Sequence, residues 1–240
     1  MRILALLILF LGCVDEQKQS AEPKADLNVL FIGNSLTYVN DLPALVSEIA
    51  KMDGVDLAYK TYALPNFAIE DHWAANTIQK GLKEDHYDFL IAQQGPSAQS
   101  QSQIMLRNAS VMVANECRKT KTTFGLYMVW PSADRSTPDH DRCIESYTKA
   151  AKASNALLCP AALAWKLAWK NDPDLPLYGP DGFHPGIHGS VLAAMSIYAS
   201  IKQKTNLDFI DKSKATWSES ISDEQMTIMK DAAILAEQQK

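Results

Sequence analysis

The sequence lacks the features that mark several classes of protein. Its 23 lysine and arginine residues are outnumbered by 28 acidic ones, the formal net charge is −5, and no basic run is present. Because phosphate binding needs clustered Lys and Arg, we expect no nucleic-acid partner. The four cysteines include no C-x-x-C pair and no His/Cys cluster with metal-ligand spacing, so a zinc site is not expected. A length of 240 residues suits one domain with a sizeable core.

A long hydrophobic run is also lacking, although a short one opens the chain. Residues 3–12 are apolar, follow Arg2 and precede Cys13. A helix needs roughly 20 apolar residues to cross a bilayer, whereas a shorter run after a positive charge is typical of a signal peptide. A small residue directly before Cys13 also resembles a bacterial lipoprotein signal, in which the cysteine is lipidated. We therefore expect a signal peptide over residues 1–12 and a polar tether over residues 13–26.

A signal peptide over residues 1–12 implies that the protein is exported. The protein is expected to be a lipoprotein of the periplasm or cell surface, or else secreted, and to meet the membrane only through its anchor. Cys117, Cys143 and Cys159 would then lie in an oxidising compartment, where an odd number allows at most one intramolecular pair. The spacing does not decide between one disulfide and three buried thiols, and we slightly favour buried thiols.

From residue 27 the chain alternates short apolar runs with longer amphipathic segments. This alternation predicts βαβ units, and therefore an α/β fold with a parallel sheet of about five strands covered by helices on both faces. Right-handed crossovers would bring the carboxyl ends of the strands to one edge, where such folds bind ligands. The predicted strands cover residues 27–32, 55–63, 89–92, 123–130 and 156–159, and the predicted helices cover residues 42–49, 69–82, 102–118, 141–154, 162–169 and 190–202.

Polar residues near the helix starts carry further expectations. Asn40 or Asp41 is expected to cap the helix that has Pro43 in its first turn. His72, in the next predicted helix, is expected to pack or to hydrogen-bond to the loop after the first strand rather than to act in catalysis. Residues 204–240 form a C-terminal extension, in which Ser222 starts an S-D-E-Q capping box for a last helix that packs on the domain.

A serine lies directly after the first predicted strand, in residues 33–37 (GNSLT). The hydroxyl of Ser35 would stand at the carboxyl edge of the sheet, in a strand-to-helix turn whose backbone N–H groups are unpaired. A serine nucleophile that supplies its own oxyanion donor is built in this way. Serine also caps helices in such loops, and this segment taken alone favours the cap.

An Asp and a His stand three residues apart in a loop rich in Pro and Gly, residues 178–186 (YGPDGFHPG). In a tight turn the carboxylate of Asp181 can hold Nδ1–H of His184 and leave Nε2 free as a base. The alternative is that Asp181 only makes an Asx-type turn and His184 is solvated. A metal site that adds His188 is disfavoured, because Pro185 and Gly186 break the helical spacing that pairs two histidines.

Together the two segments resemble the first and last blocks of the SGNH/GDSL hydrolases, a superfamily of esterases and lipases. Asn34 replaces the more common Asp of the first block, and residues 181–184 match the final D-x-x-H. The resemblance covers about residues 27–203. It implies a flavodoxin-like three-layer α/β/α fold and a catalytic triad of Ser35, His184 and Asp181, with no cofactor or metal.

The two middle blocks depart from the family's pattern. Asn66 stands at the position of the oxyanion glycine, where it keeps the backbone N–H and tolerates a left-handed φ better than most residues. Ser97 stands where the family has an oxyanion asparagine, and Gln94 or Gln93 could reach the same oxygen. The resemblance thus implies oxyanion donors from the N–H groups of Ser35 and Asn66 and from the side chain of Gln94 or Ser97.

The expected function is hydrolysis of a carboxylic ester through an acyl-enzyme on Ser35. An O-acetyl or other short acyl group is expected, carried by a small molecule or by a glycan. The altered middle blocks motivate an alternative from another class, a non-catalytic SGNH-like surface lipoprotein that binds glycan. The sequence leaves the oligomeric state open.

Overall fold

The computed structural model describes residues 25–134 and 137–240. The predicted signal peptide, Cys13 and nearly all of the predicted tether lie outside this part of the chain. Within it, none of the helices combines the length and the apolar character that a bilayer span requires.

Five parallel strands form one sheet in the order β2-β1-β3-β4-β5. This confirms the predicted α/β class, and the order is that of the flavodoxin-like doubly wound folds. The order reverses between β1 and β3, and the loops after these two strands therefore diverge at the carboxyl edge. The strands are β1 (Leu27–Gly33), β2 (Leu57–Ala63), β3 (Phe89–Ala92), β4 (Thr123–Tyr127) and β5 (Leu157–Cys159).

Helices cover both faces of the sheet. One layer pairs α2 with α8, and the other packs α5 against α3, α4 and α6. α8 is buried along nearly its whole length, as an apolar helix between the sheet and other helices must be. The helices are α1 (Ser35–Tyr38), α2 (Leu42–Met52), α3 (Ile69–Ala74), α4 (Thr77–Glu84), α5 (Ser100–Thr120), α6 (Thr137–Ser154), α7 (Ala161–Asn171), α8 (Ile187–Lys202) and α9 (Asp223–Gln239).

The prediction of one helix over residues 69–82 was wrong, because the structure has two helices there. The break falls at Asn76, whose φ of 59° is left-handed and cannot continue an α-helix. The predicted strand 123–130 was too long. The chain leaves the ladder after Tyr127 because the neighbouring β5 ends at Cys159 and is followed by Pro160.

The C-terminal extension folds onto the domain. Its last helix, α9, begins with the predicted capping box: the Ser222 hydroxyl accepts from the backbone N–H of Gln225, and the Gln225 side chain accepts from the N–H of Ser222. α9 packs against α7 and α8. In the described residues Cys117, Cys143 and Cys159 are free, buried thiols, as favoured from the sequence.

Candidate active site

Ser35 lies at the first position of α1, directly beyond the end of β1. The side chain of Asn34 caps this helix by accepting from the N–H of Leu36, 3.1 Å away, so Ser35 is not the cap. Within the described residues, neither the hydroxyl nor the N–H of Ser35 has a hydrogen-bond partner. The serine therefore presents a free hydroxyl and a free first-turn N–H on the same residue.

A buried network fixes the loop that carries Ser35. The Gln93 side chain, fully buried after β3, donates from Nε2 to Oδ1 of Asn34 at 2.7 Å and to the Thr37 hydroxyl at 3.0 Å. These side chains press against Gly33, where a Cβ would overlap Thr37 Oγ1 and lie 2.8 Å from Gln93 Nε2. The glycine before Asn34 is therefore required by close packing.

Asp181 and His184 form a hydrogen-bonded pair. Oδ2 of Asp181 lies 2.5 Å from Nδ1 of His184, while Oδ1 accepts from the N–H groups of Phe183 and His184 at 3.0 and 2.9 Å. The carboxylate thus holds the imidazole with one oxygen and makes the Asx-type turn with the other, so the alternative in which Asp181 only makes the turn was wrong. The hydrogen bond from His184, followed by that from Phe183 N–H, lowers the pKa of Asp181 to about 2.

Residues 178–186 carry this pair, and we call them the histidine loop. It closes on itself through the N–H of Gly179, which donates to the carbonyl of His184 at 2.7 Å. Three hydrogen bonds attach it to the chain after β4. These are Trp130 Nε1–H to the Phe183 carbonyl, Ala133 N–H to the Gly182 carbonyl, and the Tyr178 hydroxyl to the Pro131 carbonyl.

Ser35 and His184 do not hydrogen-bond to each other in this structure. Their segments are joined through Asn40, whose side-chain Nδ2 donates to the carbonyl of Pro185 at 3.0 Å and to the Ser190 hydroxyl at 2.9 Å. In structures without substrate, the hydrogen bond between a nucleophile and its base is often long or poorly aligned. His184 is about one third exposed, so its ring is accessible from solvent.

Asn66 lies in the loop after β2 with a φ of 62°, a left-handed backbone that asparagine tolerates better than most residues. This loop is tied to the Ser35 loop at two points: Leu64 N–H donates to the carbonyl of Gly33, and Asn34 Nδ2 donates to the carbonyl of Phe67 at 2.9 Å. The two N–H groups expected to hold an oxyanion thus belong to adjacent, connected loops.

The side chains of Gln94 and Ser97 are buried and bonded within their own loop. Gln94 Nε2 donates to Ser97 Oγ at 2.9 Å and to the carbonyl of Ser102 at 3.3 Å, and the Ser97 hydroxyl lies 3.0 Å from the carbonyl of Gly95. The donors that the sequence reading assigned to an oxyanion therefore have protein acceptors here. Either side chain would have to exchange a partner before it could bind substrate.

His72 supports the Ser35 loop, as predicted. Its Nε2 lies 2.7 Å from the carbonyl of Gly33, and since a carbonyl only accepts, Nε2 carries the proton. The ring is completely buried beside Phe67, and burial lowers its pKa, which keeps it neutral.

Sequence reasoning missed Asn40 and Tyr147 as parts of this region, and it considered Gln93 as an oxyanion donor although its side chain instead holds the Ser35 loop. Asn40 was expected only as a possible cap, yet neither it nor Asp41 makes a side-chain cap bond to α2. The hydroxyl of Tyr147, on α6, lies 2.7 Å from the carbonyl of Gln94. No local signal could reveal contacts that join residues 53 or 145 positions apart.

A cleft of about 400 Å³ opens beside these loops. Its walls come from the loops after β2, β3 and β4 and from the histidine loop, through Ala68, Gly95, Pro131 and Phe183. None of the described lining residues is Lys or Arg, and Asp139 is the charged one. A volume of this size is typical of ligand pockets, and Ser35 and His184 themselves are not among the residues that line it.

The described residues contain no group of three or more His, Cys, Asp or Glu side chains arranged to hold a metal ion. His188, the third residue of the disfavoured metal reading, has Nε2 at 3.2 Å from Oε1 of Gln225 in α9.

No protein-family model and no curated protein matches the chain. Solved structures do match it. A DUF4886 family protein from Bacteroides uniformis is 17% identical with a TM-score of 0.71, over 88% of this chain and 94% of that one. A candidate SGNH hydrolase from Slackia heliotrinireducens is 20% identical with a TM-score of 0.63, over 73% of this chain and 98% of that one. An acetyl xylan esterase, AlAXEase, is 16% identical with a TM-score of 0.57, over 73% and 100%.

These matches establish that the chain has the SGNH hydrolase fold. The DUF4886 match also reaches the C-terminal extension. Residues 27–203 are about 74% of the 240 residues and residues 1–26 about 11%, so an alignment over 88% includes part of the segment after residue 203.

Proposed function

We propose that this protein is a serine esterase that hydrolyses a carboxylic ester through an acyl-enzyme on Ser35. The observation that carries the proposal is the Asp181–His184 pair, joined at 2.5 Å on the sheet edge where Ser35 presents a free hydroxyl. The site falls at the β1/β3 switch point, where folds of this topology bind ligands.

In the proposed mechanism the Ser35 oxygen attacks the acyl carbon, and Nε2 of His184 takes its proton. Asp181 keeps the proton of the imidazole on Nδ1 and stabilises the imidazolium. His184 then returns its proton to the alcohol oxygen as the ester bond breaks. Water attacks the acyl-enzyme by the same route, and the acid is released.

The N–H groups of Ser35 and Asn66 are proposed to bind the oxyanion of the tetrahedral intermediate. Both are backbone donors in loops that hydrogen-bond to each other, so little reorganisation is needed during the reaction. Gln94 or Ser97 is proposed as a third donor. Because each already has an acceptor in the protein, this role requires substrate to displace the present partner.

The proposed substrate is a neutral ester of a short acyl group, such as an O-acetyl group on carbohydrate. The cleft of about 400 Å³ has room for such a group, and the charged residue of its described lining, Asp139, disfavours an anionic one. The acetyl xylan esterase with the same fold supports an acetyl ester.

The test is turnover of p-nitrophenyl acetate, together with labelling by a fluorophosphonate and mapping of the label by mass spectrometry. We expect the wild-type protein to hydrolyse p-nitrophenyl acetate and to carry the fluorophosphonate label on Ser35. The Ser35→Ala variant should lose both the hydrolysis and the label. Ser220→Ala, an exposed serine of the C-terminal extension, is the matched control and should behave as wild type. Wild-type protein that neither turns over the ester nor reacts with the label would exclude the esterase.

A second candidate is a non-catalytic glycan-binding protein displayed as a lipoprotein. The engaged donors of Gln94 and Ser97 favour it, since a degraded oxyanion site would show such closed bonds. Binding of acetylated xylan by calorimetry without release of acetate would support it over the esterase.

Export with a lipid on Cys13 is proposed as well, on the signal-like residues 1–12. Incorporation of a labelled fatty acid into wild type, lost in Cys13→Ser, is the expected result.

A further inference from the structure

Asn40 makes a long-range connection that its position does not require. It lies in the short segment between α1 and α2, five residues after Ser35. The residue is exposed, so water alone could have satisfied its amide. Instead, Nδ2 donates to the carbonyl of Pro185 and to the hydroxyl of Ser190, residues 145 and 150 positions away. Both hydrogens of the amide are used in these two bonds.

The backbone at this point is held in an unfavourable conformation. Asn40 and Asp41 both have left-handed φ values, 55° and 47°, and neither is a glycine. Asn and Asp adopt this conformation more readily than other non-glycine residues, but still at a cost in free energy and usually as single residues rather than in succession. From this backbone conformation the Asn40 side chain makes its hydrogen bonds to the Pro185 carbonyl and the Ser190 hydroxyl.

The histidine loop is attached unequally on its two sides. Three hydrogen bonds join it to the segment after β4, as described above. On the side of Ser35, Asn40 supplies the one link: between residues 34–41 and residues 178–190, no other hydrogen bond occurs within the described part of the chain. Among the hydrogen bonds of the described residues, those of the Asn40 side chain are thus the direct connection between the segment of Ser35 and the segment of His184.

We infer that Asn40 is a positioning residue that holds the histidine loop at a fixed place relative to Ser35. It touches neither the hydroxyl of Ser35 nor the imidazole of His184, and it acts through the carbonyl of Pro185 and the first turn of α8. The catalytic part of this inference rests on the esterase proposed above. The mechanical part, that Asn40 holds the loop, does not.

Two variants separate the side chain from the backbone. Asn40→Gly keeps the left-handed backbone and removes the amide, and Asn40→Asp keeps the shape but replaces both N–H donors by an oxygen that repels the Pro185 carbonyl. Asn155 provides the matched controls Asn155→Gly and Asn155→Asp. It is exposed, has the same φ of 55°, and lies before β5 at the opposite edge of the sheet.

The first measurement is hydrogen exchange of backbone amides in residues 178–190 against amides of the sheet. Both Asn40 variants are expected to speed exchange in this segment about tenfold or more while the sheet amides stay as in wild type, and the Asn155 variants should change neither. The second measurement is turnover of p-nitrophenyl acetate. The Asn40 variants should lower kcat by about 10- to 100-fold with KM within about twofold, since misplacement by about 1 Å can cost this much.

Unchanged exchange in residues 178–190 overturns the inference, whatever the activity. Faster exchange of the sheet amides as well also overturns it, because Asn40 would then serve general stability. If exchange rises locally but kcat stays within twofold of wild type, the catalytic part is wrong. If wild type itself is inert, the esterase proposal fails, while local exchange still decides whether Asn40 holds the loop.

Discussion

The two oxygens of the Asp181 carboxylate have different partners. Oδ1 closes the turn by accepting two backbone N–H groups, and Oδ2 holds Nδ1 of His184. These bonds lower the pKa of Asp181 to about 2. Because a lowered pKa favours the charged form, whatever stability the carboxylate contributes is present above its ordinary value of 3.8 and lost as the pH falls toward 2. A loss of activity above pH 5 must therefore come from another group.

The first prediction concerns Asp181→Asn. The amide oxygen can keep the turn, but the amide N–H₂ faces Nδ1 and favours the tautomer with the proton on Nε2, which cannot act as a base. We expect kcat to fall by about 10²- to 10⁴-fold, with a urea unfolding midpoint close to wild type. Asp174→Asn, an exposed residue before the same loop, is the control. Activity within threefold of wild type in Asp181→Asn would contradict the assigned role.

The second prediction concerns Gly33→Ala. The added Cβ would meet Thr37 Oγ1 and Gln93 Nε2, and the Gln93 side chain is fully buried and held by hydrogen bonds to Asn34 and Thr37. We expect a loss of about 1–3 kcal/mol in the free energy of unfolding by urea, the usual range for overpacking. In Gly95→Ala the Cβ meets nothing within 4 Å, so the free energy of unfolding should stay within about 0.5 kcal/mol of the wild-type value. Equal effects of the two substitutions would refute the packing argument.

Among the helices and strands, those marked by a clear pattern of neighbouring residues were predicted correctly. Breaks and ends that such a pattern does not mark were not. β3 and the start of α9 were located correctly, because a compact apolar run and a capping box each act within a few residues. The break at Asn76 was missed, because the apolar period continues through it and only a left-handed φ interrupts the helix. The end of β4 at Tyr127 was also missed, because it depends on the length of β5, which is set in another part of the chain.

The third prediction tests the cap of α9. Ser222→Ala removes the acceptor for Gln225 N–H at the exposed start of the helix. We expect a loss of about 1 kcal/mol in the free energy of unfolding, within the range of 0.5–2 for such caps. Ser222→Asp should restore most of it, since aspartate caps as well as serine. A loss of the same size in Ser222→Asp would mean that the effect is not capping.

At the scale of the molecule, the candidate site is assembled from five separate segments at one sheet edge. The first and last blocks could be recognised from sequence because each carries its chemistry within a few residues. The oxyanion side could not, because the state of Gln94 depends on Tyr147, 53 positions away, as well as on Ser97 and Ser102. Topology fixes which segments meet, and side-chain packing then decides which donors remain free.

The C-terminal extension is joined to the helix that follows the histidine loop. His188, at the start of α8, contacts Gln225, and Ser200, near its end, donates to Glu237. The Lys230 ammonium binds the carbonyl of Ile210 within the extension itself. One face of α9 is buried against the domain, through Met226, Met229, Ala232, Ala233 and Ala236.

The fourth prediction is that residues 204–240 are part of the folding unit. A chain that ends at residue 203 would expose the buried surfaces of α7 and α8, and we expect it to lose near-UV circular dichroism and cooperative urea unfolding. Two variants of α9 in the full chain provide the graded test. Met229→Ala, fully buried, should cost about 2–5 kcal/mol. Leu235→Ala, 40% exposed, should cost under about 1 kcal/mol. A shortened chain that unfolds as cooperatively as wild type would show instead that α9 is an addition to a complete domain.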